Sequence, residues 1–217
     1  MHIKLWLDRE IQVEKKRVGR VPVLILRPTQ PAAGKPGVLW IHGGGYITGM
    51  KEMVYMSRAA DLVKKYGVTV VSPGYRLAWL HPWPAAAEDC FAVLQFMDEK
   101  RERLGFSSLM VGGESAGGGL TAAVCMMARD RGIRVAFQMP LYPMLSNIDT
   151  ESSGTTTEKY GTPGAITSAG GCTCAGRPGR RCRPMPRPST RPIITICRNA
   201  TPLWVKASPS MPKRCNT

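Results

Sequence analysis

Five residues, Gly113-Glu114-Ser115-Ala116-Gly117, restrict what this chain can fold into more than any other stretch. They lie between an apolar run, Leu109-Met110-Val111, and a run of small residues from Gly118 to Val124. A strand, a pinched turn and a helix therefore meet at Ser115. In so tight a turn only glycines fit beside the serine, and its hydroxyl is pushed out over the end of the sheet. The helix that follows directs its free N–H groups back at the same point, where they can hold negative charge. The plain alternative is a Gly/Ser turn without chemistry. The strand before and the helix after weigh against it.

The rest of the body repeats the strand-then-helix pattern. Val21 to Arg27 reads as a strand, with Pro22 at its start or on an exposed edge. Gly37-Val38-Leu39-Trp40-Ile41 and Val68-Thr69-Val70-Val71 are short apolar runs, the mark of strands covered on both faces. Helical spacing is expected over 53–66, ending in Lys64-Lys65-Tyr66-Gly67, and over Ala85 to Arg103. A helix from the serine turn to about Asp130 precedes a last strand at Val135 to Met139. This alternation predicts an α/β fold with a mainly parallel sheet and helices on both faces. Ligands of such sheets bind at the carboxyl ends of the strands. Ser115 falls at one such end, and His42-Gly43-Gly44-Gly45 at another.

A serine hydroxyl that attacks an ester carbonyl creates a negative oxygen, and N–H groups fixed in advance lower that barrier. Losing one such donor costs about 3–4 kcal/mol. Gly43 and Gly44 have no side chains to block close approach, so their amides are candidate donors; Ala116, next after the nucleophile, supplies a third. His42 is read as shaping the loop by hydrogen bonding rather than as the base. Tyr46, Trp79 and Trp83 suggest an apolar pocket wall.

Residues 21–146 resemble the hormone-sensitive-lipase-like branch of the α/β-hydrolases, the alpha/beta hydrolase fold-3 family. The matching pieces are His42-Gly43-Gly44-Gly45-Tyr46, Tyr75-Arg76-Leu77-Ala78, His81-Pro82-Trp83-Pro84-Ala85 with Glu88-Asp89-Cys90, Gly113 to Gly118, and Leu141-Tyr142-Pro143. Trp79-Leu80 stands where that family usually has Pro-Glu. The resemblance implies an α/β-hydrolase fold and hydrolysis of a small carboxylic ester through an acyl-serine on Ser115, with no metal or cofactor. It makes Asp89 structural, holding the loop near the serine turn. As a triad acid it would stand on the wrong side of Ser115.

That reading lacks two parts. In this fold the triad runs Ser, then Asp or Glu, then His along the chain, but His2, His42 and His81 all precede Ser115. The later acids Asp130, Asp149, Glu151 and Glu158 end no convincing strand. Composition changes at the same place. Residues 155–217 hold eleven Lys/Arg against Glu158 alone, so +10 of the net +15 lies there, with five of seven cysteines and nine of eighteen prolines. The stretch has no period of 2 or 3.6. A one-base shift of frame offers an account. The Trp204 codon before valine then forces a glycine, Met211 before proline forces an alanine, and both ends of the tail yield strings that suit the family. The expected organisation is therefore a hydrolase core over 1–153, missing its last strands, and a disordered out-of-frame basic tail over 154–217, leaving the chain inactive or impaired.

Other readings are a working esterase whose base comes from His81 or a partner chain, and a nucleic-acid or acidic-surface binder through Arg180-Arg181-Cys182-Arg183 and Arg187. Aromatic residues for base stacking are nearly absent around those arginines, so nucleic acid is not expected as a partner. Cys172-Thr173-Cys174 with Cys182 matches no common zinc spacing. Cys90 and Cys125 read as buried free thiols. No secretory leader or membrane-length apolar run is present, which makes the cytoplasm the default compartment. Limited proteolysis should remove residues 170–217 first; a protease-resistant product retaining them would contradict this division of the chain.

Overall fold

The protein is described from a computed structural model, which covers residues 10–30 and 34–145. The segment 154–217, read above as a separate tail, lies outside the described residues. Those described build one six-stranded sheet. Its strands are β1 (Ile11–Val18), β2 (Val21–Pro28), β3 (Gly37–Ile41), β4 (Thr69–Pro73), β5 (Leu109–Glu114) and β6 (Val135–Leu141), in spatial order β1-β2-β4-β3-β5-β6. β1 and β2 form an antiparallel hairpin, and β2 pairs antiparallel with β4. From β4 to β6 every pairing is parallel. The expected mainly parallel sheet is thus found from β4 onward, with an antiparallel flank that includes a strand not foreseen. β1 was hidden because Lys15-Lys16-Arg17 interrupt its alternation, as suits an edge.

The helices are α1 (Arg58–Tyr66), α2 (Ala85–Glu99), α3 (Arg101–Leu104) and α4 (Ala116–Asp130), with a 3-10 turn at Lys51–Met56. The expected helix over 53–66 is therefore two pieces. Ser57 divides them: its extended backbone stops the 3-10 turn, and its hydroxyl accepts the Ala59 N–H at 3.2 Å to cap α1. Gly67, in the left-handed conformation at φ 66°, closes α1 by returning its N–H to Val63 O. The predicted helix over 85–103 likewise breaks at Lys100, between α2 and α3.

Side chains alternate between the sheet's two faces. Leu24, Leu26, Val38, Trp40 and Val70 meet Ala59 and Val63 of α1 and Val54 on one face. α2 and α4, packed on each other, cover the other. β3 is buried along its whole length between them. The short apolar runs are thus central strands, as their composition implied. Leu39→Ala, at a fully buried position of β3, should cost about 2–5 kcal/mol, read from the denaturant midpoint. Val13→Ala on the edge strand should cost well under half of that.

Candidate active site

Ser115 links β5 to α4 with φ 54° and ψ −115°, a conformation that strains any residue with a Cβ. Among the described residues the other non-glycine positions with positive φ are Tyr46 and Tyr142, and hydrogen bonds tie both of their segments to this turn. The serine is held from the end of β6. Its N–H donates to Leu141 O at 3.0 Å, while its own carbonyl accepts Met144 N–H at 3.0 Å and Gly119 N–H at 3.1 Å. The glycines beside it answer to crowding. A Cβ on Gly117 would run into Ile41 O and lie 2.5 Å from His42 O. One on Gly113 would lie 2.7 Å from Ile41 O. The start of α4 is therefore pressed against the carboxyl end of β3.

The same closeness brings the second glycine turn to the serine. A Cβ placed on Gly43 would lie 3.5 Å from Ser115 Cβ and 3.0 Å from Glu114 O. Gly44, at φ 113°, turns the chain so that its carbonyl accepts the N–H of Thr48 at 2.9 Å and of Ile47 at 3.1 Å. Among the described residues no backbone or side-chain acceptor takes the N–H of Gly43, Gly44 or Ala116.

His42 is buried beneath this loop. Its Nδ1 lies 2.8 Å from Gly43 O, and its ring stacks on Tyr75 with centroids 4.2 Å apart. Tyr75 Oη donates to His42 O at 3.0 Å. Burial lowers the His42 pKa, against a smaller upward pull from the Gly43 carbonyl and from Glu52. A neutral ring whose Nδ1 faces a carbonyl carries its proton there, leaving Nε2 buried with no partner among the described residues. The side chain is thus committed to the loop.

Asp89, 3% exposed, receives Arg76 Nε at 2.8 Å, Arg76 Nη2 at 2.9 Å and the Arg76 backbone N–H at 3.0 Å. Arg76 Nη2 also donates to Ala85 O at 3.2 Å. This fastens the loop after β4 to the start of α2. The Asp89 hydrogen bonds, led by the side-chain pair, hold the Arg76 pKa up. Tyr46 differs from its expected place in a pocket wall. It is buried, and its hydroxyl donates to Met144 O at 2.8 Å, so it braces the segment that clamps Ser115. Burial raises its pKa. Ala78 N–H donates to Tyr46 O at 2.9 Å, joining the same network. Trp79 is exposed and Trp83 half-buried. The clamp formed by Leu141 and Met144 was not foreseen as part of the site, although Leu141-Tyr142-Pro143 had signalled the segment. Cys90 is buried as expected, whereas Cys125 is only half-buried. Burial pushes the Cys125 thiol up to about 12 and Cys90 well above its ordinary value. Among the described residues no group of three or more His, Cys, Asp or Glu could hold a metal ion.

A sequence profile of the alpha/beta hydrolase fold matches residues 38–181, more than half of the chain. The chain belongs to the alpha/beta hydrolase fold-3 family. A carboxylesterase of this kind from Mycobacterium tuberculosis, NlhH, is 34% identical over 142 residues, 62% of this chain and 44% of the relative. An ethyl acetate hydrolase from Pseudomonas putida is 31% identical over 147 residues, 65% of this chain and 45% of that one. Among solved structures, a bacterial heroin esterase aligns with TM-score 0.69 and 31% identity, covering 77% of this chain and 56% of its own. The chain thus spans about half the length of the relatives it matches. No helix among the described residues is long and apolar enough to cross a membrane.

Two measurements test this hydrolase-family site. Gly117→Ala should lower the melting temperature by about 5 °C or more, since backbone carbonyls cannot retreat from a methyl group and each kcal/mol is worth about 2–8 °C. The second follows from His42. A native pKa below the ordinary 6.5 means that the unfolded chain binds the extra proton first as pH falls. The stability it contributes is full above about 6.5 and is lost progressively below it. The melting temperature should fall between pH 7 and pH 5, and His42→Gln should show a shallower slope.

Proposed function

We propose that the site is built for carboxylic ester hydrolysis through an acyl-serine. Ser115 Oγ is the nucleophile, and the amides of Gly43, Gly44 and Ala116 hold the oxyanion. One observation carries the reading: Gly43 packs so close to the serine turn that a Cβ on it would lie 3.0 Å from Glu114 O and 3.5 Å from Ser115 Cβ. The unclaimed amides of the loop support it, because donors fixed before reaction need not reorganise during it. His42, Gly45, Gly113, Glu114 and Gly117 shape the two turns, and Asp89 holds the neighbouring loop through Arg76. Trp79 and Trp83 are the remaining candidates for a substrate wall. The esterase activities of the relatives support this reading, and a small acyl ester is the substrate it implies.

The same reading gives this sequence an incomplete catalytic set. Every histidine precedes Ser115, and without a base the hydroxyl stays protonated and is a poor nucleophile. His42 is occupied with Gly43. Residues 154–217 hold no histidine and Glu158 as their one acid, so the base of the family order has no candidate there. Turnover of p-nitrophenyl acetate or butyrate by the 217-residue chain should stay near background and be unchanged by Ser115→Ala. Robust turnover abolished by Ser115→Ala would instead show that a base reaches the serine from elsewhere, with His81 the first to test by His81→Ala.

A further inference from the structure

The three glycines after Ala116 open α4 to three different parts of the chain. Gly117 admits the end of β3, as described above. A Cβ on Gly118 would lie 3.0 Å from Leu141 O and 3.0 Å from Pro143 Cα. One on Gly119 would run into Tyr46 Oη and Met144 O together. The first turn of α4 is therefore shaped to let a tyrosine hydroxyl from the His42 loop meet a main-chain carbonyl from the exit of β6.

Tyr46 reaches this point from an unusual start. It directly follows Gly43-Gly44-Gly45 and holds φ 67°, a left-handed backbone that is costly for a bulky residue. Strain of this kind persists where the surroundings over-determine it. Two hydrogen bonds do so here. The Tyr46 carbonyl accepts Ala78 N–H at 2.9 Å, and the hydroxyl donates to Met144 O at 2.8 Å across 98 positions of sequence. Met144 N–H in turn donates to Ser115 O at 3.0 Å, beside Gly119 N–H at 3.1 Å. Met144 thus takes the tyrosine hydroxyl with its carbonyl and the serine carbonyl with its amide. Burial, which raises the Tyr46 pKa, keeps the donor protonated. A ring at this position needs space alone; a donor aimed at a main-chain carbonyl also fixes a distance.

We propose that Tyr46 is a positioning residue: its hydroxyl, acting through Met144, sets the separation between the Gly43 and Gly44 amides and Ser115. Glycines let the loop turn, and by the same freedom leave it without a fixed distance from the serine. The packing of Gly43 on the serine turn resists closer approach but not withdrawal. The bond from Tyr46 to Met144 resists withdrawal. The alternative is a tyrosine that fills the core, its hydroxyl bonded because a buried hydroxyl must be. The opening at Gly119 weighs against it, since filling needs a ring and not a passage for its hydroxyl. The proposal deepens the ester-hydrolase reading and rests on it for what the separation serves: donors already held where charge develops need not move when it does.

The test compares Tyr46→Phe and Tyr75→Phe in the full 217-residue chain by residue-resolved amide exchange. Each removes one buried tyrosine hydroxyl, but that of Tyr75 donates to His42 O, within the loop itself. Tyr46→Phe should speed exchange at Met144, on the serine side, and at Ala78, on the loop side, by about tenfold more than at the β3 amides, the worth of one hydrogen bond. Tyr75→Phe should leave Met144 no faster than the β3 amides. Sodium butyrate, an acyl product of the ester reading, probes the donors separately. On the unaltered chain it should shift the amide signals of Gly43, Gly44 and Ala116, and Tyr46→Phe should weaken that binding by about fivefold or more. Acceleration at Met144 alone, or at neither amide, overturns the proposal. So does an equal effect of Tyr75→Phe at Met144, or butyrate binding that Tyr46→Phe leaves unchanged. Loss of the fold in Tyr46→Phe would make the hydroxyl a support of the whole core and overturn it too. Butyrate that shifts none of the three amides on the unaltered chain would sink the ester reading alone, and exchange at Met144 and Ala78 would still decide what Tyr46 does.

Discussion

The carboxyl end of β3 and the amino end of α4 touch backbone to backbone, and the site exists because they do. Ile41 O and His42 O occupy the space that a side chain on Gly117 would need. With a methyl group there, α4 would stand off from the sheet, Ser115 would move away from Gly43, and the two turns would no longer share a space. Backbone contact of this kind cannot be relieved by a change of rotamer, so the tolerance is a few tenths of an ångström. The strained serine, the free amides and the clamp from β6 all depend on this contact.

Around it the loops are tied by hydrogen bonds between distant parts of the chain. Tyr46 reaches Met144, Tyr75 reaches His42, and Arg76 reaches Asp89. Each is a buried or half-buried polar link, strong because it is shielded from water and costly if half of it is lost. Arg76 and Asp89 do for the loop after β4 what Leu141 and Met144 do for the serine turn. A site assembled from strand ends needs such ties, since its residues sit where regular pairing stops.

Local patterns carried much of this architecture. The serine turn and the His42 loop were legible because glycines at fixed offsets follow short apolar runs, and the structure brings the two together as the strand-end rule implied. The central strands β3 and β4 were legible for the same reason. β1 was not, since its basic residues suit an edge strand and a solvated loop equally well. The break at Ser57 had a signal, a serine before Arg58-Ala59, which periodicity alone overrode. Tyr46 was misjudged because its backbone, at φ 67°, turns the ring inward, and no spacing rule reports a sign of φ. The clamp on Ser115 joins residues 26 or more positions apart in sequence and forms only once β6 lies beside β5.

Pro140 of β6 stands level with Gly113 of β5, two residues before the serine. Proline carries no N–H, so the main chain of β6 has no hydrogen bond to donate at this height.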